Sequence, residues 1–139
     1  MSYAVLFPGQ GSQSVGMGSD VFSARPDLLG APAEALLGWS LEALCTAGPE
    51  EELTRTDRAQ PALYAVGYAL WEAFAAAAPA PPAAAAGHSL GEYTALAAAG
   101  VLSFADGLRL VAERGAAMAE AAGREPSGMA ALLGADRER

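Results

Sequence analysis

The sequence predicts an α/β fold with a mainly parallel sheet. Three observations carry that prediction. A short apolar run, Tyr3 to Phe7, stops at Pro8 and breaks into a loop rich in Gly, Ser and Gln. Segments of helical period then alternate with short strand-like runs, the order that builds parallel sheets. Finally, Gly87-His88-Ser89-Leu90-Gly91 places a G-x-S-x-G sequence between an alanine run and a helical segment.

Each element has its own signal. Tyr3–Phe7 reads as a buried strand, and residues 9–18 as loop. Segments near 17–24 and 40–46 read as short helices, with Pro26, Gly30, Pro32 and Gly38 as separators. Pro61 to Ala77 reads as a longer helix. Leu63, Val66, Leu70 and Phe74 recur at helical spacing, and proline in a first turn is a start signal. The prolines of PAPP at 79–82 mark a connection. Ala83–Ala86 reads as a strand from its position, since alanine is a weak strand former. Leu90–Ala99 reads as helix stopped by Gly100. Ser103 is placed to cap a helix from Phe104 to Ala122, with Gly123 at its end. Gly128–Leu133 reads as a last strand.

Composition narrows the function classes. The chain has 139 residues, 53% hydrophobic and 17% charged, enough for one packed domain. The net charge is −8 and there is no lysine. No basic stripe exists for nucleic acid, and an anionic membrane surface would repel the chain. No 18-residue apolar span occurs, because Pro79, Pro81 and Pro82 interrupt the run from 73 to 86. The first residues lack the basic start and long apolar core of a signal peptide. The single cysteine, Cys45, excludes an internal disulfide and fits a reducing cytoplasm. In LEALCTAG it reads as a buried, inert thiol. One His and one Cys form no metal-ligand cluster, so no metal site is expected.

The chemistry concentrates at Ser89. In a nucleophile elbow, a serine sits on a sharp strand-to-helix turn flanked by glycines. Its hydroxyl then stands beside free N–H groups and the positive end of the helix dipole. The alternative at this point is a glycine-rich turn that merely packs. A serine also needs a base, and the only histidine, His88, is its neighbour on the turn and points elsewhere.

A second signal lies in the helix from 104 to 122. On a helical wheel, Leu108, Leu110, Val111 and Met118 share one arc, while Asp106, Arg109, Glu113 and Glu120 share the other. Arg109 with Glu113, and Glu120 with Arg124, are spaced for i,i+4 pairs on the wet face. Arg114 falls inside the apolar arc. Either it snorkels to the edge or caps a carbonyl, or it grips a carboxylate through two parallel hydrogen bonds.

The opening loop is neither of two familiar phosphate loops. Ser14 stands where the third glycine of G-x-G-x-x-G belongs, and a Walker loop requires a lysine.

FPGQGSQ at 7–13, AQPAL at 59–63, GHSLGEY at 87–93, GVLSFADGLRLVAERGAAM at 100–118 and GMAALLG at 128–134 occur in that order. This series resembles malonyl-CoA:acyl carrier protein transacylases and the acyltransferase domains of polyketide synthases. The resemblance implies an α/β hydrolase-like core in residues 1–126, incomplete here, and the start of a ferredoxin-like small subdomain in 127–139. It implies that Ser89 carries a malonyl ester taken from coenzyme A. It further implies an oxyanion hole from the backbone amides of Gln10 and Leu90, with Arg114 pairing with the malonyl carboxylate. Gln60 matches a polar position near the site, and His88 belongs to the motif without being the base. The family's base is a histidine well downstream of the serine, outside these 139 residues.

The implied partners are malonyl-CoA, an acyl carrier protein bearing phosphopantetheine, and the remainder of the enzyme, with no permanently bound cofactor. The alternatives are a serine thioesterase or esterase, which shares the elbow, and a non-catalytic half-domain that serves as a docking piece.

Overall fold

The computed structural model describes residues 2–125. The expected strand at 128–133 and the expected subdomain start at 127–139 lie outside the described residues. Two strands, β1 (Ala4–Phe7) and β2 (Ala84–Gly87), pair in parallel, with Ala4 opposite Ala84 and Phe7 opposite Gly87. The parallel α/β prediction is therefore met by the strands described. The ladder runs past β2 at both ends: the Ala83 N–H donates to Tyr3 O at 2.8 Å, and the His88 N–H to Phe7 O at 3.1 Å.

Between the strands lie six helices: α1 (Ser19–Ala24), α2 (Pro26–Leu29), α3 (Ala31–Leu37), α4 (Leu41–Ala47), α5 (Glu50–Thr54) and α6 (Thr56–Ala77). The prolines expected to separate helices instead begin them. Pro26 and Pro32 occupy first-turn positions, where the missing N–H would lack a partner anyway. Helix α5 carries Glu50, Glu51 and Glu52 in its first turn, favourable against the dipole's positive end.

Helix α6 corrects the sequence reading more substantially. It begins at Thr56, five residues before Pro61, which lies inside the helix. Only one intrahelical bond, to the Asp57 carbonyl, is lost at Pro61, near the end where bonds are fewest. The apolar side of α6 that faces the core is Ala59, Ala62, Tyr64, Ala65, Val66 and Ala69, so of the apolar residues at helical spacing Val66 is buried while Leu70 and Phe74 are not. Leu70 and Phe74 are 46% and 52% exposed. They line an open apolar groove of ≈ 520 Å³ together with Val5, Phe7 and Trp71. Leu6 on β1 is 76% exposed as well.

After β2 come α7 (Gly91–Ala98) and α8 (Phe104–Arg124). Helix α7 ends as expected: Gly100 takes φ +74, and Val101 and Gly100 N–H groups return to Leu96 and Ala97 carbonyls. Ser103 caps α8, accepting the Asp106 N–H at 3.1 Å and donating to Asp106 Oδ2 at 2.6 Å. Helix α8 continues through Gly123 to Arg124.

The contact between α6 and α8 forms the centre of the core. Gly107, Leu108, Val111 and Gly115 are buried there. At Gly107 a Cβ would lie 2.1 Å from the Tyr64 hydroxyl, so the tyrosine ring occupies that space. The buried stripe of α8 is thus offset from the apolar arc on the wheel: Leu110 and Met118 are 43% and 37% exposed. Arg109 pairs with Asp106 at 3.0 Å rather than with Glu113, while Arg124 does pair with Glu120. Among the described residues, no helix is long and apolar enough to cross a membrane.

Candidate active site

The turn between β2 and α7 is held by two glycines. A Cβ on Gly87 would lie 1.9 Å from the Gly91 carbonyl carbon, and a Cβ on Gly91 would lie 2.2 Å from Phe7 O. Neither contact is possible for a real side chain, so both positions require glycine. Between them Ser89 takes φ +52, the one positive-φ non-glycine residue described. Such a backbone costs of order 1–3 kcal/mol and persists only where its surroundings enforce it. The strain expected of an elbow is present at the serine itself. Ser89 is exposed, and the side chain of Leu90 behind it is buried.

The loop after β1 lies against this turn. A Cβ on Gly9 would come within 2.7 Å of His88 Nδ1 and of His88 O. Gln10 follows directly. Neither the Gln10 N–H nor the Leu90 N–H donates to another group among the described residues. His88 is exposed and forms no hydrogen bond to Ser89 there.

Arg114 reaches the serine from α8. Its Nη2 donates to Ser89 Oγ at 3.0 Å, and its Nη1 donates to Gln60 Oε1 at 2.5 Å. The guanidinium carbon stands 5.8 Å from the Tyr93 ring centroid, within cation–π reach. The other described arginines each have a carboxylate partner: Arg25 with Asp27 and Glu72, Arg55 with Asp57, Arg58 with Glu52, Arg109 with Asp106, and Arg124 with Glu120. Arg114, half-buried, has none among the described residues. The i,i+4 stripe of Leu110, Arg114 and Met118 is thus partly exposed rather than sunk in the core, with Arg114 on Ser89 and Met118 against Gln60.

Gln60 is fully buried, and its Nε2 donates to Thr56 Oγ1 at 2.8 Å and to Met118 Sδ at 3.2 Å. Thr56 Oγ1 in turn donates to Gln10 Oε1 at 2.8 Å. All six residues singled out in the sequence therefore lie on the Ser89 turn, on the loop packed against it, or in this hydrogen-bonded set. Thr56 and Tyr93 join them without having been anticipated. For Thr56 a signal existed: it lies four residues before Gln60, but starting the helix at Pro61 left it in a loop. Cys45 is remote, fully buried in α4, and burial pushes its thiol up to about 12.

The chain is 48% identical over 136 residues to the malonyl CoA-acyl carrier protein transacylase of Salmonella typhimurium, covering 96% of this chain and 44% of that protein. It is 48% identical over 137 residues to the polyketide biosynthesis protein ThaF of Burkholderia thailandensis, covering 99% of this chain and 12% of that one. The chain spans less than half the length of these relatives. Among solved structures, a malonyl CoA-acyl carrier protein transacylase from Burkholderia pseudomallei superposes with TM-score 0.83 at 47% identity. That match covers 87% of this chain and 41% of the other. A malonyl-transacylase in complex with a type II PKS acyl-carrier protein superposes with TM-score 0.79 at 45% identity, covering 87% and 40%. The sequence profile of the acyl transferase domain matches residues 5–139, and with it the strained Ser89 turn finds its context: the chain belongs to the acyl transferase domain family.

Proposed function

We propose that the protein transfers a malonyl or similar carboxyacyl group from coenzyme A to an acyl carrier protein through an ester on Ser89, in fatty acid or polyketide biosynthesis. One observation carries the carboxyacyl part. Arg114 is half-buried, touches Ser89 Oγ, and has no carboxylate of its own among the described residues. A guanidinium in that setting calls for an anion supplied from outside.

Ser89 Oγ attacks the thioester carbonyl carbon. The amides of Gln10 and Leu90 stabilise the oxyanion, a role in which one lost donor typically costs about 3–4 kcal/mol of barrier. The carbon–sulfur bond breaks and coenzyme A leaves as the thiol. The phosphopantetheine thiol of the carrier protein then attacks the ester, and Ser89 departs with its proton restored. His88 makes no hydrogen bond to Ser89 among the described residues; on the family resemblance, the group that takes and returns the proton is a histidine downstream of the serine. Coenzyme A and the carrier's phosphopantetheine enter as substrates, with no permanently bound cofactor invoked.

Intact-mass analysis of the natural-length protein after incubation with malonyl-CoA tests this. The expected result is one added malonyl group, absent in Ser89→Ala and discharged by carrier protein. An unmodified protein refutes it. Free malonate released as fast as coenzyme A, with carrier protein present, makes the protein a thioesterase.

A further inference from the structure

The hydrogen bonds around Gln60 run in one chemically forced direction. A guanidinium can only donate, so the Gln60 atom facing Arg114 Nη1 must be the carbonyl oxygen. The Gln60 amide nitrogen then faces Thr56 and must donate to it. Thr56 has a single hydroxyl proton, which is left for Gln10 Oε1 at 2.8 Å. The chain is Arg114 to Gln60 to Thr56 to Gln10, each group donating to the next. It leaves no buried side-chain polar atom without a partner among the described residues.

This relay joins two pieces of backbone far apart in sequence. Gln10 is exposed on the loop after β1, next to buried Gly9, while Arg114 rises from α8. Among the described residues, Thr56, at the first turn of α6, is the one link between the Gln10 side chain and the buried Gln60.

We infer that Thr56 is a positioning residue, its hydroxyl holding the Gln10 loop in register with the Ser89–Arg114 pair. The inference rests on the acyl-transfer reading above. The Gln10 loop serves the reacting carbonyl, which malonyl and acetyl thioesters share. Loss of the hydroxyl therefore acts on the chemical step with either substrate.

The test compares Thr56→Val and Thr56→Ser in the natural-length protein, measuring Ser89 acylation by malonyl-CoA and by acetyl-CoA. Thr56→Val keeps the shape and removes the hydroxyl. It is expected to lower kcat roughly ten- to a hundredfold with both substrates, the scale of a misplaced reacting group. KM for malonyl-CoA is expected to stay within about threefold on the same reasoning. Thr56→Ser restores kcat to within about threefold. Gln10→Ala, which keeps the backbone N–H, gives a similar loss, and the double variant with Thr56→Val is no worse than either single variant. This second variant decides the matter should Thr56→Val fold poorly. Wild-type rates in Thr56→Val, failure of serine to rescue, an effect confined to KM, or additive losses in the double variant would overturn the inference. Absence of acylation in the unsubstituted protein overturns the acyl-transfer reading and this inference together. Acylation there with an unimpaired Thr56→Val overturns this inference alone.

Discussion

Replacing Arg114 with alanine isolates the interaction on which the carboxyacyl reading depends. The Nη2 now on Ser89 Oγ is the one a substrate carboxylate would claim, while Nη1 stays engaged with Gln60. Hydrogen bonds to charged groups contribute about 1.5–3 kcal/mol each. One or two such bonds at a half-buried site, discounted for solvent screening, come to about 2–3 kcal/mol. At 1.4 kcal/mol per decade this is roughly thirty- to a hundredfold in kcat/KM for malonyl-CoA. Acetyl-CoA lacks the carboxylate and serves as the control. Acylation of Ser89, followed by rapid quench and mass spectrometry, is expected to fall by that factor with malonyl-CoA. With acetyl-CoA, which has no carboxylate to lose, the fall should be at least about tenfold smaller, because it reflects only the bonds from Arg114 to Ser89 and Gln60. Arg114→Lys keeps the charge but not the fork, and falls between the two. Equal losses with both substrates would refute the reasoning, since Arg114 would then support the serine or the fold alone.

Gly91→Ala would place a Cβ 2.2 Å from Phe7 O. The expected cost is at least about 3 kcal/mol, read as a lowered urea midpoint; an unchanged midpoint contradicts the packing described. Ser103→Ala removes both hydrogen bonds to Asp106 at the start of α8. It is expected to cost about 1 kcal/mol, with Ser103→Asp recovering most of it. The Cys45 thiol is raised by burial from 9.0 to about 12. Iodoacetamide at pH 8 should leave the folded protein unlabelled and label it in urea. Below pH 9 both states hold the thiol proton. Between pH 9 and 12 the unfolded chain loses it first, so this group makes stability fall as pH rises. Urea midpoints at pH 8 and 10.5 should show that fall, reduced in Cys45→Ala.

Local signals recovered much of the fold because local physics decides those elements. Ser103 with Asp106 three residues on is a cap in any tertiary setting, and Gly100 ends α7 because a left-handed residue is needed there. Where the reading failed, proline position or neighbouring helices decided. Pro26, Pro32 and Pro61 are compatible with a helix near its start, which a residue-type rule reads as a break or a beginning. The core-facing side of α6 takes four alanines, Val66 and the Tyr64 ring, the last fitting over Gly107 of α8, which leaves Leu70 and Phe74 on the groove.

The site divides along the same line. By itself the sequence determined the elbow, since G-x-S-x-G on a strand-to-helix turn needs glycines where Gly87 and Gly91 stand. It also singled out Arg114 as a charge on an apolar arc. Only the tertiary structure decided what that charge touches. The parallel register of β1 and β2 lays the loop that carries Gln10 against the turn at His88, and the α6–α8 contact brings Gln60 to Arg114. Thr56 became visible only then, because a hydroxyl's role depends on which donor and acceptor lie within 3 Å. Residues 46 and 4 positions away along the chain supply them here.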